Sequence, residues 1–237
     1  MKRERDITES TLYMISNYIV WFFLGNLYFM ILNIPAIFIL IAAAPPYSIN
    51  NGLILTYLCF LPIGPAVTAL FGVEGKLVRE KDVCFTKDFI KMYKLSFKQS
   101  FTLWAFELLL LTVLYYDIKI EAGFLKYLYI GLFLFVFCIG LYAFPIISRF
   151  YLRTRDVIRT SFFNFFRYIY ISIINIALIV LGGIAFMKVP SIGLLFAVSI
   201  ICYGIMFLEN NMLKEIETMI DKSGEPIDDA ESDEEDS

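Results

Sequence analysis

Six apolar stretches, each long enough to cross a membrane as one helix, limit what this chain can fold into. The hydrocarbon core of a bilayer is about 30 Å thick, so a spanning helix needs about 20 mostly apolar residues. The stretches cover residues 18–43, 52–71, 99–116, 124–147, 168–187 and 192–208. Hydrophobic residues make up 59% of the chain, well above the share in a soluble domain. We therefore expect an all-α polytopic protein with about six transmembrane helices in a lipid bilayer.

The polar segments divide the chain into three parts. We expect residues 1–17 to form a cytoplasmic N-terminal segment, residues 18–208 a six-span domain, and residues 209–237 a cytoplasmic acidic tail. From Asp221 to Asp236 there are nine acidic residues and one lysine, a composition typical of a partly disordered segment. This tail is either a solvated acidic end or a segment that docks on a basic partner.

The distribution of lysine and arginine predicts the orientation in the membrane. Cytoplasmic segments of membrane proteins carry an excess of these residues. The two terminal segments, with the connections that follow the second and fourth spans, hold 17 of them. The opposite side holds only Lys119, Lys126 and Lys188. The asymmetry places both termini in the cytoplasm, and an even number of spans agrees with this.

Residues 86–98 have the pattern of an amphipathic helix on the cytoplasmic membrane surface. At about 100° per residue, four lysines fall within a sector of about 60° and apolar or aromatic residues lie opposite. The lysines are Lys87, Lys91, Lys94 and Lys98, and the opposite side carries Phe85, Phe89, Met92, Tyr93 and Phe97. We expect the chain to re-enter the membrane near Gln99. The helix is either an interfacial connector facing anionic headgroups or a docking surface for a cytoplasmic partner.

Proline and glycine interrupt the end of the second span. Pro62 and the run Gly64, Pro65 and Ala66 remove backbone donors and let another helix approach closely. Such a break permits a kink, a tight helix crossing or a lined cavity. It serves either packing alone or a substrate path or hinge.

Glu107 lies in the middle of the third predicted span. An ionisable residue at that depth costs several kcal/mol unless it is paired, protonated or facing a wet cavity. No other acidic or basic residue lies centrally in a predicted span, so we expect a hydroxyl or amide partner, with Asn33, Ser172 and Asn175 as candidates. Glu107 is either a protonated group in an interhelical hydrogen bond or a site for a proton or cation.

Three arginines follow the fourth predicted span directly: Arg149, Arg153 and Arg155. Positive residues at the cytoplasmic end of a span anchor its orientation. The same arginines are candidates for binding an anionic lipid or the acidic surface of a partner.

The chain lacks the residues that several classes of enzyme and metal-binding protein require. The chain has no histidine, which excludes His-dependent triads and HExxH zinc sites. Its four cysteines, Cys59, Cys84, Cys138 and Cys202, have no CxxC spacing, and we expect reduced structural thiols. No phosphate-binding glycine loop and no GxSxG motif is present. We therefore expect no enzyme activity, no cofactor, no metal site and no nucleic-acid binding.

Two blocks of sequence resemble the YesL-like family of bacterial integral membrane proteins, which is built around a domain of unknown function. The first is GPAVTALF at residues 64–71 with FIK at 89–91 and FKQS at 97–100, and the second is YAFP at 142–145 through Arg149 and Phe150. The resemblance covers most of residues 10–210. It implies a bacterial plasma membrane and an accessory role in carbohydrate uptake, because family members are often encoded beside sugar-importer components.

Two functional hypotheses follow. The first is an accessory or regulatory subunit of a membrane complex, with the permease or ATPase of a carbohydrate ABC importer as partner. The chain lacks the EAA-type cytoplasmic loop expected of the permease itself. The second is a self-sufficient small-solute transporter or channel with Glu107 on the path.

Overall fold

The computed structural model describes residues 2–43, 52–80, 83–150 and 152–223, and within these ranges the chain is helical with no strand. The helices are α1 Lys2–Leu32, α2 Ile34–Ala43, α3 Leu53–Phe60, α4 Ile63–Glu80, α5 Phe85–Ile120, α6 Phe124–Arg149, α7 Thr154–Arg167, α8 Ile169–Lys188 and α9 Pro190–Ser223. The predicted all-α fold class is confirmed. The acidic residues after position 223 lie outside the described residues.

Within the described ranges, six helical segments are long and apolar enough to cross a membrane, as the sequence predicts. They are Ile15–Leu32, Ile54–Glu80, Phe85–Ile120, Phe124–Arg149, Ile169–Lys188 and Gly193–Ile220. The first predicted span, residues 18–43, is divided by a turn at Asn33 and continues as the short apolar helix α2. Pro35 accounts for the turn, because it lacks the amide proton that the carbonyl of Ile31 would accept in a continuous helix.

Apolar side chains cover much of the outer surface of the bundle. Phe38 on α2, Tyr127 on α6 and Leu181 on α8 are 69%, 73% and 64% exposed. A soluble monomer rarely exposes apolar area on this scale, whereas a bilayer covers it. The chain is therefore a multi-pass membrane protein.

Helix α5 joins the predicted surface helix and the third predicted span into one continuous helix. No break occurs near Gln99, and residues 86–98 are the first turns of one helix of 36 residues. At about 1.5 Å per residue this helix is about 54 Å long, well beyond the thickness of the hydrocarbon core. No glycine or proline interrupts it. Its aromatic side packs on protein, since Phe85 and Phe89 are buried and the Phe89 ring stacks on Tyr28 of α1 at 5.1 Å.

Helix α4 lies at the centre of the bundle and packs against α1, α5, α6 and α9. Leu70, Val73 and Leu77, spaced by three and four residues, are fully buried. This spacing puts one apolar stripe along the helix and explains its central position. Two small residues, Gly64 and Ala66, allow neighbouring helices to approach the start of α4 closely.

Ion pairs join the last turns of α9 to the ends of α6 and α7. Arg149 Nη2 lies 2.6 Å from Glu217 Oε2, and Arg167 Nη2 lies 2.5 Å from Glu215 Oε1. The Arg149 side chain is 7% exposed, whereas that of Arg167 is 53% exposed. A buried guanidinium depends on its partner far more than an exposed one does.

Replacing Glu217 with glutamine is expected to destabilise the protein by about 1 kcal/mol, because the nearly buried Arg149 loses its counter-charge. The matched control is Glu215→Gln, which weakens the more exposed pair with Arg167. We expect the control to cost less, as measured by unfolding in a dodecyl sulfate titration. Equal losses in the two variants would mean that Arg149 does not depend on Glu217.

Candidate functional site

Glu107 is the only charged residue between Lys98 and Asp117 of α5, nine residues after the first and ten before the second. At about 1.5 Å per residue, it lies about 13.5 Å along the helix axis from Lys98. The residue is 7% exposed. Glu107 is therefore buried midway along the uncharged part of α5.

A cavity of about 230 Å³ adjoins the Glu107 carboxyl. Five helices contribute its walls, namely α4, α5, α6, α8 and α9. Aromatic side chains that line it are Phe71, Trp104, Phe137 and Phe144. Aliphatic side chains supply much of the remaining wall, including Val67, Leu141, Ile179, Val198, Ile201 and Ile205. We call this space the Glu107 cavity; its lining is almost entirely apolar apart from the carboxyl group itself.

The Glu107 carboxyl lies against Gly140 of α6. A Cβ atom placed on Gly140 would be 2.0 Å from Glu107 Oε1. Glu107 Oε2 has no hydrogen-bond partner in the part of the chain that the structure describes. The ion pairs found among the same residues do not include Glu107. The carboxyl is thus buried, without a cationic partner in the described chain, and beside an open space.

The three polar side chains proposed as partners of Glu107 form hydrogen bonds with other residues. Asn33 Nδ2 donates to the carbonyl of Phe29 at 2.8 Å, within its own turn. Ser172 Oγ lies 2.8 Å from the hydroxyl of Tyr142. The structure therefore does not bring these residues to Glu107. It places them at other helix contacts.

Asn175 pairs with a buried acid that the sequence analysis missed. Its Nδ2 donates to Glu209 Oε1 at 2.7 Å. A second missed acid is Glu74, whose carboxylate accepts a hydrogen bond from the Ser199 hydroxyl. Both Glu74 and Glu209 are fully buried.

A signal for these two acids was present in the sequence. The predicted spans stopped at Phe71 and Leu208, just before each glutamate. The apolar spacing of three and four residues continues past Glu74 to Leu77, and it continues past Glu209 to Met212. Continuing the helical pattern through a single charge would have placed both acids inside the bundle.

The predicted break in the second span lies between α3 and α4. Helix α3 ends at Phe60, Pro62 lies in the turn, and Gly64 and Pro65 form the first turn of α4. Proline is accepted there because the first amide groups of a helix have no intrahelical partner. The break is held by α5, whose Trp104 indole N–H donates to the carbonyl of Phe60 at 2.9 Å.

A second cleft, of about 480 Å³, shares part of its wall with the Glu107 cavity. Helices α3, α4, α5 and α6 line it. Its walls include Tyr57, Leu108, Leu111, Thr112, Tyr115 and Tyr116. Trp104 and Ile63 line both this cleft and the Glu107 cavity. These two side chains therefore belong to the walls of both spaces.

The predicted lysine face of α5 is exposed. Its members are Lys87, Lys91, Lys94 and Lys98, and none forms an ion pair with another described residue. Lys76 of α4 instead pairs with Asp88 at 3.2 Å. The four lysines remain available to a headgroup or a partner.

The three arginines predicted as a group lie in two different environments. Arg153 and Arg155 are exposed before and within the first turn of α7, whereas Arg149 is nearly buried and paired with Glu217. Arg149 therefore joins α6 to α9 and does not present a free guanidinium. Among the described residues there is also no group of three acidic, cysteine or histidine side chains placed to hold a metal ion.

The comparisons with known proteins give one result. Residues 20–118 match the family model described as "Protein of unknown function, DUF624". This range contains the break at Pro62, the lysine face and Glu107. Neither the curated proteins nor the solved structures give a match. Residues 20–118 are thus similar to the DUF624 family of unknown function, with which the YesL-like resemblance is consistent.

Proposed function

We propose that the chain is a small-solute transporter or channel of a bacterial plasma membrane, with Glu107 on the path and both termini in the cytoplasm. The observation that carries the proposal is a buried, unpaired carboxyl facing a cavity of about 230 Å³ in the middle of a span. Placing a carboxyl there is costly, so residues of this kind mark substrate, ion or proton pathways. The cleft that shares Trp104 with the cavity supplies a second space next to it. The orientation is supported by the excess of lysine and arginine on one side.

The lining of the cavity disfavours a carbohydrate as the solute. Sugar hydroxyls that leave water must each find a donor or an acceptor, or the free energy of binding is lost. Besides Glu107, the polar groups at the wall are the Cys202 thiol and the Trp104 indole, and the indole N–H already donates to Phe60. A sugar would leave most of its hydroxyls without partners.

Liposome flux tests the proposal. The purified full-length chain is reconstituted, and the uptake of labelled tetraethylammonium, sodium, glycerol and glucose is measured against protein-free liposomes. We expect at least one solute to cross faster with protein present. A well-folded, correctly inserted protein that conducts none of the four solutes would contradict the proposal.

An accessory or regulatory subunit of an ABC importer is the second candidate. The exposed lysine face supports it, because four unpaired cations along one helix can meet an acidic partner surface. Affinity purification in a mild detergent is the test, with a variant in which Lys87, Lys91, Lys94 and Lys98 are alanine as the control. Importer subunits that co-elute with the native chain and are lost from the variant would support this role. Elution of the native chain alone would contradict it.

A further inference from the structure

We propose that the Glu107 cavity binds a small organic cation, namely an ammonium group carrying apolar substituents. The inference rests on the proposed function, because it names the class of solute for the same site. Three independent properties of the cavity support it: the uncompensated carboxyl, the aromatic walls and the volume.

The charge requirement comes from Glu107. Its side chain is 7% exposed, and no ion pair in the described part of the chain involves it. A buried carboxylate without a counter-charge costs several kcal/mol. A cationic ligand in the adjoining space supplies the missing charge, and a neutral or anionic ligand does not.

The side chains that line the cavity favour an organic cation over an inorganic one. Hard metal ions need several oxygen ligands at short range, for example six or more for calcium. Among the described residues, Glu107 is the only one that lines the cavity with an oxygen-bearing side chain. Four aromatic side chains also line it, and aromatic faces attract ammonium groups whose hydration shell has been removed. The apolar substituents of an organic cation would pack on the aliphatic walls.

The size of the cavity sets an upper limit on the ligand. An apolar cavity of roughly 150 Å³ is enough for benzene in a well-studied case. The Glu107 cavity, at about 230 Å³, is moderately larger. Tetraethylammonium is a suitable probe, because it is compact, apolar at its periphery and permanently charged.

The chain contains its own reporter of binding. It has two tryptophans, Trp21 and Trp104, and Trp104 lines the cavity. In a full-length chain carrying Trp21→Phe, the tryptophan emission therefore comes from Trp104, and excitation at a wavelength that tyrosine does not absorb isolates it. We expect tetraethylammonium to change this emission in a saturable way. The neutral counterpart of similar shape, 3-ethyl-3-pentanol, is expected to bind much more weakly.

Glu107→Gln on the Trp21→Phe background is the decisive variant. Glutamine keeps the size of the side chain and removes its charge, and we expect binding of tetraethylammonium to weaken by about 30-fold or more. Gly140→Ala is the second variant, because its added Cβ would lie 2.0 Å from Glu107 Oε1 and displace the carboxyl. It serves as the test if Glu107→Gln does not fold. Unchanged affinity in a folded variant, or equal binding of the alcohol, would overturn the inference.

The binding experiment tests the cation site and the flux experiment tests transport, so one proposal can fail while the other holds. Tetraethylammonium that binds in a Glu107-dependent way, with no flux of any of the four solutes, would support the cation site and overturn the transport function. Flux of glycerol or glucose without binding of tetraethylammonium would overturn the cation site and support transport. The absence of both binding and flux would overturn both.

Discussion

The substitution Gly64→Ala is expected to destabilise the protein by about 3 kcal/mol. This is the largest loss of stability that we expect from the addition of one methyl group. A Cβ atom on Gly64 would lie 2.3 Å from the Cβ of Trp104 and 2.5 Å from its Cγ. The position of the Trp104 Cβ is set by the backbone of α5, so rotation of the side chain does not move it aside. The start of α4 and the middle of α5 would have to separate.

This separation would also break the contact that holds the α3–α4 turn. The Trp104 indole N–H would lose the carbonyl of Phe60, now at 2.9 Å. The control is Gly131→Ala on α6, where an added Cβ meets no atom within 4 Å. Because alanine favours a helix over glycine, the control should gain up to about 1 kcal/mol. Unfolding in a dodecyl sulfate titration measures the stability of both variants. A Gly64→Ala variant as stable as the native chain would contradict the close packing.

Glu107→Gln is expected to reduce solute flux in liposomes to the rate of protein-free liposomes. The substitution removes the negative charge that faces the cavity and preserves the side-chain volume beside Gly140. Because a charge that interacts with a desolvated ligand is typically worth 2–5 kcal/mol, a loss of roughly 30-fold or more is expected. Glu107→Asp should retain part of the flux, since it keeps the charge on a shorter side chain.

The matched control for this variant is Glu121→Gln, the same substitution just beyond the end of α5. We expect the control to conduct at the native rate. Monodisperse elution in detergent and an unchanged helix content establish that both variants fold. Native flux through a folded Glu107→Gln protein would remove Glu107 from the path.

The membrane-spanning part of the fold was predictable because it depends on local composition. Each apolar stretch is near the length that a bilayer requires, so six spans followed from counting. The turn at Asn33 was harder to locate. The apolar residues continue through it, and the interruption depends on a single proline two positions later.

The continuity of α5 through Gln99, and the packing of its first turns on protein, were not predicted for a different reason. An apolar side opposite a row of lysines is typical both of a helix on a membrane surface and of a helix that packs on protein. The pattern alone cannot distinguish these environments. Phe85 and Phe89 face α1 and α4 in the structure, and their partners, such as Tyr28, are distant in sequence.

The candidate site was only partly predictable. Glu107 could be selected from the sequence because it is the single charge within an apolar stretch. The cavity beside Glu107 could not be predicted from the sequence, because its walls come from five helices between residues 63 and 205. Glu74 and Glu209 were missed because a lone charge near the end of an apolar run resembles a membrane exit. In the structure both are fully buried and accept hydrogen bonds from Ser199 and Asn175.

Carbodiimide labelling compares Glu74, Glu107 and Glu209, the acids that are buried in the described part of the chain. It tests the central claim that Glu107 is the one exposed to a solute cavity. The reagent modifies protonated carboxyl groups in apolar surroundings, and peptide mass spectrometry locates the modification. We predict that Glu107 is labelled faster than Glu74 and Glu209, which accept hydrogen bonds from neighbouring helices. Tetraethylammonium should protect Glu107 alone. Equal labelling of the three glutamates, with no protection at Glu107, would contradict the account.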